Sequence, residues 1–430
     1  MHQQTTAGLS IRTERSNATL QLGNATEEDR LNEAQATPRL RLVYFVHDLG
    51  DPAVGRRLST LGPFLASAVV IGFHRAAAAP PQVEGWPTIS LGRTMDGRLG
   101  RRALSIVRIH AILSTLRPYL QGATVIMAKQ LEMLALAGTA RRRYAETAAL
   151  AYEFLDVHRL MVARSLAGVA LRFVESCLLR ATDLLVVSSP AFVREYLEPT
   201  YGVRLPPICL IENKALRDEH TPSLDAKPRP AGPPWRIGWY GVLRCRKSLE
   251  LLAGLARQLP GQVVVDLRGR PARSAIPDFD ALVSATPGIT FLGPYDRHRD
   301  LTEIYQAVHF TWAIDFYEAG ANSKWLLPNR LYEGGSNGAV PIALASVETG
   351  SWLARHDAGV LLHEPLAEDL LRYFSSLETA AYAASTLRLA AVKRETWADD
   401  GRDGARLASA LLRRHVRTST SKFAGQRAIN

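Results

Sequence analysis

The stretch LRLVYFVHDLGDP, residues 40–52, decides how the whole chain is read. Its apolar opening, LRLVYFV, contains no glycine or proline and suits one buried strand. The polar loop HDLGDP follows, and residues 53–65 then read as a helix. Strand, loop and helix make the first half of a βαβ unit, whose crossover lays the next strand parallel to the first. The pattern recurs at 68–72 (AVVIG), 123–128 (ATVIMA), 150–154 (LAYEF) and 184–188 (LLVVS), each run followed by a loop or by helical periodicity. Residues 39–224 are therefore expected to form one doubly wound α/β lobe with a parallel sheet.

Residues 225–235, DAKPRPAGPPW, carry more proline than a helix or a central strand tolerates, which marks 225–234 as a linker. Beyond it the alternation restarts. A strand at 236–240 (RIGWY), a loop at 241–247 and a helix at 248–258 come first. Strands at 262–267, 289–292, 310–314 and 339–344 follow, with helices near 300–307 and from Asn329. Residues 235–365 are expected to form a second lobe of the same kind. Residues 366–430 read as helices at 367–377, 379–392 and 406–416 with a polar tail, and 1–38 as a mobile N-terminal arm outside the fold. Two such lobes leave a cleft between the carboxyl ends of their sheets, where open α/β sheets bind ligands.

The length of 430 residues suits two domains of roughly 150–200 residues each, and 47% hydrophobic residues suffice for two cores. Cys177, Cys209 and Cys245 show no CxxC or CxxH spacing, which argues against a disulfide framework and a zinc site and fits a reducing, cytoplasmic setting. There is no signal-peptide pattern and no run of about 18 uncharged apolar residues. The net charge of +11 points to an anionic partner, whether nucleic acid, lipid or phosphorylated ligand. Arg98, Arg101, Arg102, Arg108 and Arg117 interleave with Leu99, Leu104, Ile106 and Val107. As a helix this segment suits an anionic membrane surface, and it suits an ordinary solvated face equally well. Neither GxGxxG after a first strand nor a P-loop is present, which disfavours dinucleotide cofactors and P-loop hydrolysis.

The chemistry concentrates in SKWLLPNRLYEGGSNGAVPIA, residues 323–343. Pro328 and Asn329 start a helix and set Arg330 in its first turn, where free N–H groups already attract a phosphate. One turn on, the Glu333 carboxylate can accept two ribose hydroxyls. Gly334, Gly335 and Gly338 are expected to break the helix and admit a ligand to the backbone. The same residues also fit a capped helix with a solvated glutamate.

This segment resembles the donor-binding region of GT-B glycosyltransferases. Trp239-Tyr240-Gly241-Val242-Leu243-Arg244-Cys245-Arg246-Lys247 is similar to the family's phosphate loop, with Val242 at the family's arginine position and Lys247 at its lysine. ITFLGPY at 289–295 is similar to a further family turn. With YFVHDLGDPAVGRR at 44–57 and YEFLDVHR at 152–159, the chain resembles the bacterial exopolysaccharide glycosyltransferases of the succinoglycan type over about residues 40–362.

The resemblance implies a GT-B fold, two Rossmann-like lobes with parallel sheets facing across a cleft. It implies transfer of a hexose, with UDP-glucose the leading donor, to a lipid-diphosphate-linked saccharide, either in the cytoplasm or peripherally on the inner face of the cytoplasmic membrane. Gly241, Arg244, Lys247, Asn329, Arg330 and Glu333 would bind the donor, its diphosphate neutralised without a metal. The nucleotide sugar is a co-substrate; no cofactor and no nucleic-acid partner are expected. His47 and Asp48 would receive the acceptor, with Arg56 and Arg57 near its pyrophosphate and Asp51 capping a helix. Asp156 would take the acceptor's proton, with His158 as second candidate or orienting partner; equally, Asp156 could cap the next helix. Retaining members carry a second glutamate where this chain has Trp325. A nucleotide-sugar epimerase of the same shape and a basic nucleic-acid-binding protein are the alternatives.

Overall fold

The computed structural model describes residues 39–94, 113–216, 229 and 231–427. The N-terminal arm, most of the arginine-rich stretch and most of the linker lie outside the described residues.

In the first lobe the buried strand β1 (Leu40–Val46) pairs in parallel with β2 (Leu65–His74) and with β5 (Val125–Lys129). Beyond β2 lie β4 (Trp86–Arg93) and a short antiparallel edge, β3 (Gln82–Val83). Beyond β5 lie β6 (Ala149–Phe154), β7 (Leu184–Val187) and β8 (Ile208–Leu210), all parallel. The second sheet holds β9 (Trp235–Leu243), β10 (Val263–Pro271), β11 (Ile289–Phe291), β12 (Phe310–Trp312), β13 (Val340–Leu344) and β14 (Val360–Leu362) in the order β11-β10-β9-β12-β13-β14. Each sheet reverses its winding beside its first strand, between β1 and β5 and between β9 and β12, which creates a crevice at the carboxyl ends there.

Strand β9 runs on to Leu243, through residues expected to be loop. Gly241 makes this possible with φ of 109°, and its partner Gly269 with φ of 124°; a Cβ on Gly269 would lie 1.9 Å from the Gly241 carbonyl oxygen.

The C-terminal helices divide between the lobes, which corrects the reading of 366–430 as one group. Helices Leu366–Ser375 and Thr379–Ala391 bury Leu370, Phe374, Tyr382 and Leu389 in the second lobe's core. Helix Arg402–Arg427 instead lays Leu407, Ala408 and Leu411 into the first lobe's core, and it continues through the stretch read as a polar tail. A parallel bridge between Ala215 and Ala398 and the Lys214–Asp403 ion pair (3.0 Å) stand beside this return crossing. An apolar stripe needs a partner surface, and the first sheet's open face supplies it. In the linker, Arg229 donates to the carbonyls of Tyr305, Gln306, Asn337 and Gly338, fixing that residue to the second lobe.

No helix among the described residues is long and apolar enough to cross a membrane.

Candidate active site

On the first lobe, the end of β1 delivers His47, Asp48 and Asp51. His47 is buried, its Nδ1 3.1 Å from Glu132. Asp48 accepts the Gly50 N–H and faces Arg75 at 3.0 Å. Asp51 caps helix Pro52–Leu61 through the Ala53 N–H and accepts from Lys129 Nζ at 2.6 Å. Burial pushes the Asp51 carboxyl upward, but the Lys129 charge and hydrogen bond, the Ala53 N–H and Arg75 outweigh it and hold the carboxyl below its usual range.

Arg57 does not reach the cleft. Its Nε donates to Glu153 at 2.6 Å, and Tyr44 bonds the same carboxylate, all three being buried within the lobe. Strand alternation explains this: Glu153 belongs to β6 proper and points into the core, whereas Asp156 follows the strand's end. Arg56 lies at the junction of the lobes, donating to the carbonyls of Asn213 and Lys214 at 2.8 Å each.

Asp156 is not a helix cap. That role falls to His158, whose Nδ1 accepts the Leu160 N–H at 3.2 Å and so leaves Nε2 to carry the proton of the neutral ring. Asp156 stands exposed in the cleft, yet flanked closely by protein. Desolvation pushes its carboxyl above the usual range, Lys129 pulls it down, and Asp51 and Glu132 push it further up. Water reaches the group, which tempers the first effect. Beside it the Val157 N–H donates across to Asn322 Oδ1 at 3.3 Å, stitching the lobes together.

On the second lobe, Arg244 lies over the Tyr317 ring at 4.3 Å and the exposed Lys247 over Phe316 at 4.2 Å. Both rings belong to the loop after β12, which Cys245 Sγ anchors by accepting the Phe316 N–H. Glu318 in this loop has a carboxyl raised by burial and by Asp156 and lowered by Arg244 and His158. Carboxylates from opposite lobes thus sense each other across the cleft.

Helix Asn329–Ser336 starts at the half-buried Asn329 behind Pro328. Arg330 donates to the Ile314 carbonyl at 3.2 Å and lies 3.7 Å from Asp315. Glu333 is buried: one oxygen faces Arg297 at 3.1 Å and Arg56 at 3.6 Å, and the other accepts the Tyr305 hydroxyl at 3.2 Å. Three guanidiniums gather here around two carboxylates, leaving an excess of positive charge beside the helix N-terminus.

Gly334 and Gly335 do not break this helix or admit a ligand. A Cβ on Gly334 would lie 2.3 Å from the Thr311 side chain, and one on Gly335 2.2 Å from the Trp397 ring, so both serve close packing. Trp325 belongs to the junction of the lobes, its ring 6.4 Å from that of Tyr196 and its carbonyl accepting from Ser189. Asp278 and Asp280 pair with Arg246 and Arg273, and no side-chain cap bond forms at Asp278. Among the described residues, no group of three or more His, Cys, Asp or Glu could hold a metal ion.

No family model matches the chain. The succinoglycan biosynthesis protein ExoL of Rhizobium meliloti (strain 1021) is 41% identical over 368 residues, which cover 85% of this chain and 91% of the relative. The chain belongs to the ExoL family. Among solved structures, Anabaena HepE in complex with UDP and glucose matches with a TM-score of 0.64 at 14% identity, over 87% of this chain and 99% of that one. Sucrose-phosphate synthase from Thermosynechococcus elongatus matches at 0.62 and 16% identity, over 90% and 99%. WaaG, a glycosyltransferase involved in lipopolysaccharide biosynthesis, matches at 0.61 and 13%, over 86% and 99%. At such identities the likeness carries the fold alone. This ExoL-family chain has the GT-B glycosyltransferase fold that its sequence resembles.

Sequence reasoning missed Arg297, Tyr305 and Glu318. Arg297 opens a helix behind the capping Asp296, a signal visible in the sequence, but nothing local indicates that this helix faces Glu333. Glu318 sits in a loop whose course the sequence does not specify.

Proposed function

We propose that this glycosyltransferase moves a hexose, from UDP-glucose in the first instance, to a lipid-diphosphate-linked saccharide at the inner face of the cytoplasmic membrane during exopolysaccharide assembly. The observation that carries the proposal is that Asp156 of the first lobe and Arg244 of the second both act on the Glu318 carboxyl, while Arg330 and the buried Glu333 share the helix Asn329–Ser336. HepE, which shares the fold, binds UDP and glucose, and ExoL is named for succinoglycan biosynthesis. Both support the choice of donor and of pathway class.

In the reaction an acceptor hydroxyl oxygen bonds to the anomeric carbon as the bond from that carbon to the diphosphate breaks. The hydroxyl proton passes to the Asp156 carboxylate, and the electron pair leaves with the nucleoside diphosphate. Arg330, Arg244 and Lys247 neutralise that diphosphate, with Gly241 and Asn329 offering close backbone approach. Glu333 takes the ribose hydroxyls once Arg56 or Arg297 yields one of its oxygens. His47 and Asp48 border the acceptor side. A carboxyl with a raised pKa makes a better proton acceptor than an ordinary aspartate. A dedicated base on the face opposite the leaving group requires inversion at the anomeric carbon.

The test incubates the full chain with labelled UDP-sugars, with and without membrane extract. Lipid-extractable label that needs both, with the product anomer inverted, is the expected result. Hydrolysis or epimerisation of the donor without lipid labelling would refute it.

A further inference from the structure

Helix Leu166–Leu179 inverts the usual arrangement of a surface helix. Its sequence, LAGVALRFVESCLL, contains two charged residues, and both turn toward the protein. Arg172 donates to the carbonyls of Met161 and Ala163 at 2.7 and 2.9 Å, and the buried Glu175 accepts from Tyr152, Tyr196 and Tyr201. The side chains turned outward are apolar: Leu166 is 90% exposed, Phe173 67%, Val169 53% and Val174 45%. Residues 166, 169, 170, 173 and 177 share one face at helical spacing. Water alone gives no reason to display such a stripe.

Charge at both ends of the helix identifies the occupant. Arg159 and Arg164 lie exposed before its first residue and Arg180 beyond its last, and among the described residues none of the three forms an ion pair. Arg141 of the neighbouring helix Leu131–Tyr144 donates to the Ala181 carbonyl, so the exposed Arg142 and Arg143 stand near that same end. An apolar stripe between arginine clusters matches a bilayer in which acyl chains lie beneath phosphate headgroups. The helix has 14 residues, roughly 21 Å at the rise of an α-helix, which is too short to span and suited to lying in the interface.

We propose that this face docks the enzyme on an anionic bilayer surface. Arg172 ties the helix to the C-terminal end of the short helix Arg159–Val162, whose start His158 caps, and Asp156 lies two residues before His158. Seating the helix on lipid therefore brings the proton-accepting side of the cleft to the membrane. The inference rests on the lipid-borne acceptor only for its purpose, since docking itself requires neither donor nor acceptor.

The test sediments the full chain with vesicles of phosphatidylglycerol and phosphatidylcholine in equal parts, and separately with phosphatidylcholine alone. Cys177 lies exposed on the same helix while Cys209 and Cys245 are buried, so an environment-sensitive fluorophore on Cys177 reports insertion. The wild-type chain should sediment with the anionic vesicles and shift the fluorophore to the blue. The double variant Leu166→Glu/Phe173→Glu should bind at least about tenfold more weakly. Arg159→Ala/Arg164→Ala should lose roughly fivefold per arginine on anionic vesicles only. Both variants should keep UDP affinity and transfer to a water-soluble acceptor. Absence of vesicle binding, binding indifferent to Leu166→Glu/Phe173→Glu, or a blue shift that follows protein concentration alone and so reports a second copy on this face, would each overturn the inference. Vesicle binding without transfer would instead count against the proposed reaction alone.

Discussion

Arg56 and Glu333 meet at 3.6 Å across the junction of the lobes, each buried and each held by further partners. The helix that follows β1 is thereby tied to the donor helix. In the proposed donor site, a ribose that engages Glu333 would compete with Arg56 and Arg297 for its oxygens, so donor binding and lobe contact would draw on the same carboxylate.

Arg56→Ala removes two hydrogen bonds to carbonyls and leaves Glu333 to Arg297. Unfolding in urea should show a loss of about 1–3 kcal/mol. Unchanged stability would mean that water already satisfies those carbonyls.

With Asp156 as the proposed proton acceptor, its raised carboxyl should set the acid limb of the pH–rate profile. Activity should rise with pH as Asp156 loses its proton, with the limb above the range of an ordinary aspartate. Lys129 pulls this carboxyl down, so Lys129→Met should move the limb to higher pH. A limb that stays in place assigns the titration to another group.

Glu175 bears on stability rather than turnover. Burial raises its carboxyl, with the three tyrosine hydroxyls pulling the other way. The folded state therefore binds the proton more tightly than the unfolded state. The contribution of Glu175 is most favourable below the unfolded pKa and declines as pH rises through the folded one. Glu175→Gln lacks that decline, so its urea midpoint should gain on the wild type as pH rises. Parallel curves would contradict the assignment.

Two glycines should respond with opposite sign. Gly335→Ala drives a methyl into Trp397 and should cost about 1–3 kcal/mol. Gly254→Ala, in helix Arg246–Gln258 with only the end of Gln258 nearby, should gain about 1 kcal/mol. Thermal unfolding distinguishes the two.

What the sequence made legible follows from how local each signal is. Buried parallel strands such as β1, β5 and β7 read directly as apolar runs. Strand β4 did not, because Pro87 and Gly92 interrupt WPTISLGR and its outward residues alternate with inward ones; β8, directly behind Pro206 and Pro207, and β14 went unread as well. The start of the donor helix at Asn329 was legible from Pro328. The purpose of Gly334 and Gly335 was not, since it depends on Thr311 and Trp397. Likewise Arg57 looked available for a ligand until Glu153 and Tyr44 were seen to hold it. The reach of the last helix back to the first lobe is a long-range fact that no local pattern encodes.

The division of labour between the lobes is tested most directly by one paired measurement on Asp156→Asn and Glu333→Ala, namely UDP affinity by calorimetry and lipid-extractable label formed from UDP-glucose at equal UDP occupancy. Asp156→Asn should keep UDP affinity and lose transfer by about 10²–10⁴-fold. Glu333→Ala should weaken UDP at least about tenfold. Equal loss of UDP affinity in both variants, or undiminished transfer by Asp156→Asn, would contradict the account.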